Sequence, residues 1–216
     1  MVFSIFYRVE TEGEGVFPDS GPAVILPKHQ YWTDIPMVSL AFDPLLHFVA
    51  KKELFKYPVF RRYLSLLGGI PVDRTESIRT LNSFKTLLSL LRAGERIVIF
   101  PEGTYCRERV GSGKSRLLRM ILHLQSEMES SIPFVPVGIR YGERVGWRRR
   151  VVIRIGDPLF AGTESEDIFL TQRVMKEIGR LSQLPLSEGL EFGAGGSEIQ
   201  QNSPDPELIS SNCDFR

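Results

Sequence analysis

The sequence predicts a single α/β domain over residues 1–184, with a mixed, largely parallel sheet flanked by helices. Three observations carry this. Short continuous apolar runs bounded by Gly, Pro or Asp recur along the chain and suit buried strands. Between them lie longer stretches with apolar residues three or four positions apart, as amphipathic helices require. From Pro185 onward Ser, Gly, Gln, Asn, Pro and acidic residues dominate and the periodicity ends, so residues 185–216 are expected to form a disordered tail.

Ala23 to Leu26 follows Gly21-Pro22 as an apolar run too short for a helix and reads as a strand, with His29 just past its end. From Ile35 the spacing Ile35, Val38, Leu40, Ala41, Phe42 fits a helix, with Thr33 or Asp34 as N-cap and Pro36 in the first turn. His29 and Asp34 therefore bracket a strand-to-helix turn. His47 to Ala50 reads as a strand, and Glu53 to Leu67 as a helix ended by Gly68-Gly69 and kinked or divided at Pro58. Ile70 to Val72 is a strand running into Asp73-Arg74. Thr75 and Glu76 open an amphipathic helix through Ile78, Leu81, Phe84, Leu87, Leu88 and Leu91, which Gly94 ends. Ile97 to Phe100 is the clearest buried strand. After a Gly- and Arg-rich loop, Leu117 to Leu124 is helical, Phe134 to Ile139 and Val151 to Ile155 are strands, and Ile168 to Leu184 is a last amphipathic helix. Such alternation of strands and helices is the pattern of a layered α/β fold.

Bulk properties narrow the function. A formal net charge of +1 argues against a generally basic nucleic-acid binder. Cys106 and Cys213 stand far apart with no Cys or His at zinc-ligand spacing, so neither a disulfide framework nor a metal site is expected. The N-terminus has no basic region before its short apolar run and so does not read as a secretory signal. No run reaches the ~20 apolar residues of a membrane span. A protein of this kind that meets lipid is expected to lie on the cytoplasmic face of a membrane, as a peripheral protein.

Four short blocks carry chemistry. His29 and Asp34 flank a turn at the carboxyl end of a strand, the edge where α/β sheets place ligands. Histidine is the side chain whose free pKa suits a base near neutral pH, and a carboxylate on its second nitrogen fixes the tautomer. Gly68-Gly69-Ile70-Pro71-Val72-Asp73-Arg74 delivers a guanidinium, the group that grips phosphate through paired hydrogen bonds. In Phe100-Pro101-Glu102-Gly103-Thr104, proline ends the ladder and glycine permits a tight turn, exposing Glu102 and the following N–H groups at the same edge. Val135-Pro136-Val137 is apolar, and core packing is its natural reading. Taken singly, each block has an ordinary structural explanation.

Together and in this order they resemble the glycerophospholipid acyltransferase family, which includes the 1-acyl-glycerol-3-phosphate acyltransferases. The resemblance covers about Ala23 to Ile155. It implies a glycerol-3-phosphate acyltransferase-like fold and transfer of a fatty acyl group from acyl-CoA or acyl carrier protein to a lysophospholipid hydroxyl, with no cofactor beyond the thioester. It further implies that His29 is the general base and Asp34 its orienting carboxylate. Arg74 with Glu102, Gly103 and Thr104 would bind the glycerol phosphate, and Val135, Pro136 and Val137 would shape the acyl channel. The chain departs from the family pattern where Thr104-Tyr105-Cys106 replaces Thr-Arg-Ser. Either Arg107 or Lys114 stands in for that arginine, or the acceptor carries a different headgroup.

Other readings compete. Gly111-Ser112-Gly113-Lys114-Ser115 is half of a phosphate-binding loop, but Glu108 holds the place of its first glycine. His123 with Glu127 one turn on suits an exposed helix pair. Lys51, Lys52, Lys56, Arg61 and Arg62, interleaved with aromatics, and Arg144 with Trp147 to Arg150 form basic stretches; they are either solvated faces or docking sites for anionic lipid. A lipid-binding protein that keeps the fold without the reaction is the non-enzymatic alternative.

Overall fold

The structure, a computed structural model, describes residues 3–13, 20–42, 46–72, 82–128 and 130–187. A strand of Val, Ile and Leu on both faces has to be covered on both sides, and β2 (Ala23–Pro27) is buried at every position. It lies at the centre of a seven-stranded sheet ordered β1-β7-β6-β2-β5-β3-β4. β2 pairs in parallel with β5 (Arg96–Val98) and β6 (Phe134–Val145), and β3 (Leu46–Lys51) pairs in parallel with β5 and β4 (Gly69–Val72). β7 (Arg148–Ile155) returns antiparallel to β6, and β1 (Tyr7–Gly13) runs parallel to β7. Five strands therefore end at one edge, which the turns after β2 and β5 share.

Alternation along β2 sorts the core into two layers. Val24 and Leu26 join Ile97 and Ile99 beneath α4 (Asn82–Arg92), α5 (Ser115–Met128) and α6 (Asp167–Ser182). Ile25 faces the other way, with Val98, Val135 and Val137 under Met37 and Val38 of α2 (Asp34–Ala41). The mixed, mostly parallel sheet between helices is the fold class the sequence implied.

Some boundaries differ. Pro58 does divide the segment after β3: a 3-10 turn spans Lys52–Lys56, and α3 (Pro58–Leu66) starts with the proline at its first position, where no N–H is needed. Thr33 precedes α2 but makes no capping bond; its hydroxyl lies 2.9 Å from the Tyr141 hydroxyl instead. The expected helix start at Thr75 and Glu76 lies outside the described residues. β6 runs six residues past Ile139, β7 begins at Arg148, and β1, preceded by the short α1 (Phe3–Phe6), has no counterpart in the sequence reading. These stretches are charged and half exposed, and cross-strand ion pairs stitch β1 to β7: Arg150 to Glu10 at 2.6 Å and Arg154 to Glu12 at 2.7 Å. At the far end, Val110 donates to the Pro185 carbonyl and accepts from the Ser187 N–H, so packing continues three residues into the expected tail; residues from 188 on lie outside the described part.

Gly138 lets α6 lie against β6. A Cβ there would sit 2.3 Å from the Leu181 carbonyl carbon, which is backbone and cannot swing aside. Gly138→Ala is expected to lower stability by about 3 kcal/mol, the upper end for overpacking, read as a lower urea midpoint at unchanged slope.

Candidate active site

Proline has no N–H, so the ladder at the end of β2 passes to Lys28, whose N–H donates to the Val137 carbonyl at 2.9 Å. The Lys28 side chain then turns into the protein, where it is 0% exposed. Its ammonium lies 2.8 Å from both oxygens of Glu102, 3.0 Å from the His29 carbonyl and 2.6 Å from the Cys106 carbonyl. Glu102 is itself 2% exposed and also accepts the N–H groups of His29 at 2.8 Å and Gly111 at 2.7 Å. Burial pushes its carboxyl up, against the opposing pull of the Lys28 ammonium and the two N–H donors. This corrects the role the resemblance gave Glu102. Its oxygens are taken up holding two turns together, so it does not reach out to an acceptor.

Tight turns make that possible. Gly103 has φ +69°, and its N–H closes the turn on the Phe100 carbonyl at 3.1 Å. Gly111 approaches so closely that a Cβ would lie 2.5 Å from the Cys106 sulfur, and a Cβ on Gly113 would meet Thr171 and Met175 of α6. The Lys114 N–H donates to the Pro101 carbonyl. The glycines of the supposed phosphate loop thus serve close packing, and its Gly111 and Lys114 donors are spent inside the protein.

With its backbone clamped, His29 sends Nδ1 to Asp34 Oδ2 at 3.0 Å. Asp34 is fully buried at the first position of α2, where the positive end of the helix favours a carboxylate. Its Oδ2 also accepts the N–H groups of Gln30 and Tyr31, the latter at 2.7 Å, and its Oδ1 accepts the Tyr141 hydroxyl at 2.6 Å. Burial and the Asp34 charge push the Tyr141 phenol far above its usual range, so it stays a donor. A carboxylate is acceptor-only, so Nδ1 of His29 carries the hydrogen, and in the neutral ring Nε2 holds the lone pair. The imidazole stacks on Phe100 at 3.9 Å between centroids and lies 4.4 Å from the Tyr105 ring.

The expected residues divide into several groups. His29, Asp34, Gly103 and Thr104 come together at the edge shared by the β2 and β5 turns, Thr104 half buried beside Tyr105. Arg74 lies outside the described residues. Val135 and Val137 have no exposed surface and Pro136 is buried beside Gly156, so all three are core of β6 rather than the wall of an open channel; Val137 acts on the site through its carbonyl. Of the two basic substitutes, Arg107 sits over the Tyr31 ring at 5.0 Å, while Lys114 is exposed on the loop before α5. His123 pairs with Glu164 at 2.6 Å rather than with Glu127. Sequence reasoning missed Lys28 as a structural cation and Tyr141 as the second holder of Asp34. Lys28 was visible as a charge at the end of an apolar strand; Tyr141, over a hundred residues from Asp34, gave no local signal. Tyr63 of α3 stands near Tyr105 and edge-on to Trp32, with a buried hydroxyl lacking a partner among the described residues and a pKa pushed up to about 12 by burial. No group of three or more His, Cys, Asp or Glu side chains among the described residues could hold a metal ion.

Comparison with known proteins shows the family. The acyltransferase family model matches residues 8–140. A 1-acyl-sn-glycerol-3-phosphate acyltransferase of Pseudomonas aeruginosa is 30% identical over 94% of this chain and 76% of its own, and one of Bacillus subtilis 29% over 79% and 88%. A chloroplast enzyme of that name from Arabidopsis thaliana is 32% identical, but the chain matches only 31% of its length. A lyso-ornithine lipid O-acyltransferase of Rhizobium meliloti is 30% identical over 61% of this chain and 42% of its own. The crystal structure of the 1-acyl-sn-glycerophosphate acyltransferase of Thermotoga maritima superposes with a TM-score of 0.60 at 25% identity, covering 82% of this chain and 71% of that one.

The buried ion pair makes its own prediction. Lys28→Met leaves Glu102 without its counter-charge and is expected to cost about 3–5 kcal/mol in urea unfolding, whereas a surface pair of the same kind would cost under ~1 kcal/mol.

Proposed function

Since this chain belongs to the acyltransferase family, we propose that it moves a fatty acyl group from acyl-CoA or acyl carrier protein to the free hydroxyl of a lysophospholipid, 1-acyl-glycerol-3-phosphate by preference, in phospholipid synthesis at the cytoplasmic face of a membrane. The observation that carries this is the His29–Asp34 pair, with Nδ1 pinned and Nε2 left as the base. Nε2 takes the acceptor's proton as its oxygen attacks the thioester carbonyl, and the imidazolium is stabilised by Asp34. Collapse of the tetrahedral intermediate breaks the carbon–sulfur bond. His29 returns the proton to the leaving sulfur, giving free thiol and an ester. No acyl-enzyme and no cofactor enters the scheme. Arg74, with Arg107 beside Tyr31, is the cationic partner for the acceptor phosphate, and Thr104 at the mouth is a hydrogen-bonding partner for its glycerol.

A second acceptor is favoured by one observation. Tyr105 stands where the family has an arginine, and its ring lies against His29. That substitution removes a phosphate ligand next to the base and suits a headgroup of different charge, such as the lyso-ornithine lipid named for the Rhizobium relative.

Purified protein offered acyl-CoA, acyl carrier protein thioesters and a panel of lysolipids is expected to yield an acylated lysolipid by mass spectrometry. His29→Ala is expected to lower kcat by about a thousandfold, within the range for removing a general base. No product with any pair, or an active His29→Ala, would contradict the proposal and leave a lipid-binding role. Tyr141→Phe keeps the ring and loses one charge-assisted bond to Asp34. It should lower kcat about tenfold with little change in KM.

A further inference from the structure

Among the described residues twelve large apolar side chains are exposed, and eight of them cluster toward one edge of the sheet. Trp32 and Tyr105 belong to the turns that hold His29, and Leu54 and Tyr57 follow the carboxyl end of β3. Val145 and Trp147 form the tip of the β6–β7 hairpin, while Ile5 and Phe6 precede β1, whose Tyr7 aligns with Arg149 next to that tip. The other four, Leu66, Phe160, Ile168 and Phe169, sit on segments that connect at the opposite edge.

The hairpin is the most pronounced element of this edge. Tyr141 reaches Asp34, and the strand then runs four more residues, ~13 Å at strand rise, beyond the catalytic turn. Val145 pairs with Arg148 across a two-residue loop in which Gly146 takes the positive φ that such a loop needs, +67°. The loop thus holds Trp147, 64% exposed, beside Val145, 66% exposed. Arg148 lies over the Trp147 ring at 5.0 Å, and Arg144 is exposed one residue before Val145. Exposed Lys52, Lys56 and Arg107 continue the positive charge along the edge, against Glu53, Glu108 and Glu143. Tryptophan with flanking arginines is the composition that suits the headgroup region of a bilayer, where indole is half buried and guanidinium meets lipid phosphate.

We propose that this edge docks on an anionic bilayer, with the Val145–Trp147 tip as the inserted point and the Leu54–Tyr57 turn as a second contact, so that the His29 site opens toward the lipid. The proposal deepens the lysolipid reading by saying how the acceptor is reached, but the docking surface rests on its own residues.

The test uses the full chain. Wild type should cosediment with phosphatidylcholine vesicles containing phosphatidylglycerol, less so at high salt. Val145→Asp with Trp147→Asp should weaken partitioning at least about tenfold, from the loss of two apolar anchors. Arg144→Gln with Arg148→Gln should weaken it by roughly tenfold on anionic vesicles and hardly at all on pure phosphatidylcholine. Activity on a bilayer-embedded lysolipid should fall in parallel, while activity on a short-chain monomeric acceptor stays within about twofold, as expected for surface changes away from the reacting groups. In a Trp32→Phe background, Trp147 fluorescence should be quenched by brominated acyl chains. Unchanged vesicle binding by the aspartate variant, no quenching, or equal losses on both acceptors would overturn the proposal. So would a shift in oligomeric state without a change in vesicle binding, which would assign the edge to a second copy of the chain. If wild type acylates neither acceptor, the catalytic reading fails, while vesicle binding and quenching still decide this one.

Discussion

An ammonium ion with no exposed surface has to be given back, inside the protein, the contacts that water supplied, and the effective cost otherwise is several kcal/mol. Lys28 meets that demand by drawing the Glu102 carboxylate and two carbonyls onto its three hydrogens, and Glu102 in turn draws in the N–H groups of His29 and Gly111. The turns after β2 and β5 are thereby locked to each other. The exposed charge of a substrate-binding acid has been exchanged for a fixed backbone under the histidine.

The rest of the site depends on that lock. A base has to be placed to within about half an ångström to be useful, and its own holders must be held. Backbone clamping sets where the imidazole starts, Asp34 sets its rotation and tautomer, and Tyr141 with the Gln30 and Tyr31 N–H groups sets Asp34. Because β6 lies next to β2 and extends past it, one strand supplies the Val137 carbonyl to Lys28, the Ile139 carbonyl to Gln30 and the Tyr141 hydroxyl to Asp34. No helix among the described residues is long and apolar enough to cross a membrane. Of the seven exposed aromatic residues described, five lie toward the edge that carries His29, namely Phe6, Trp32, Tyr57, Tyr105 and Trp147.

What could be read from the sequence was what local pattern determines. Apolar runs such as Ala23 to Leu26 and helical spacings such as that of α6 gave the sheet and its layers, since burial on both faces leaves few polar positions to confuse the period. His29 and Asp34 were legible because six consecutive residues of one turn carry both. Glu102 was legible as important but not as buried: a lone carboxylate after a strand looks exposed until its partner is known, and that partner, Lys28, is 74 residues away. β1 and the outer halves of β6 and β7 were hidden because most of their positions are charged and at least partly exposed, and β1 is tied to β7 by the Glu10–Arg150 and Glu12–Arg154 pairs as well as by Tyr7 and Val9. Val135-Pro136-Val137 was rightly read as core from its residues alone, and it was the resemblance that moved it to a channel wall.

The proposed mechanism depends on which nitrogen of His29 carries the hydrogen. Nitrogen-15 NMR of imidazole-labelled protein near neutral pH, with the His29 signal assigned by its loss in His29→Gln, reads this directly. For the neutral ring the structure predicts the proton on Nδ1, deshielded on the Asp34 side, and an unprotonated Nε2. A neutral ring protonated at Nε2 would show that Asp34 does not set the tautomer and would contradict the mechanism.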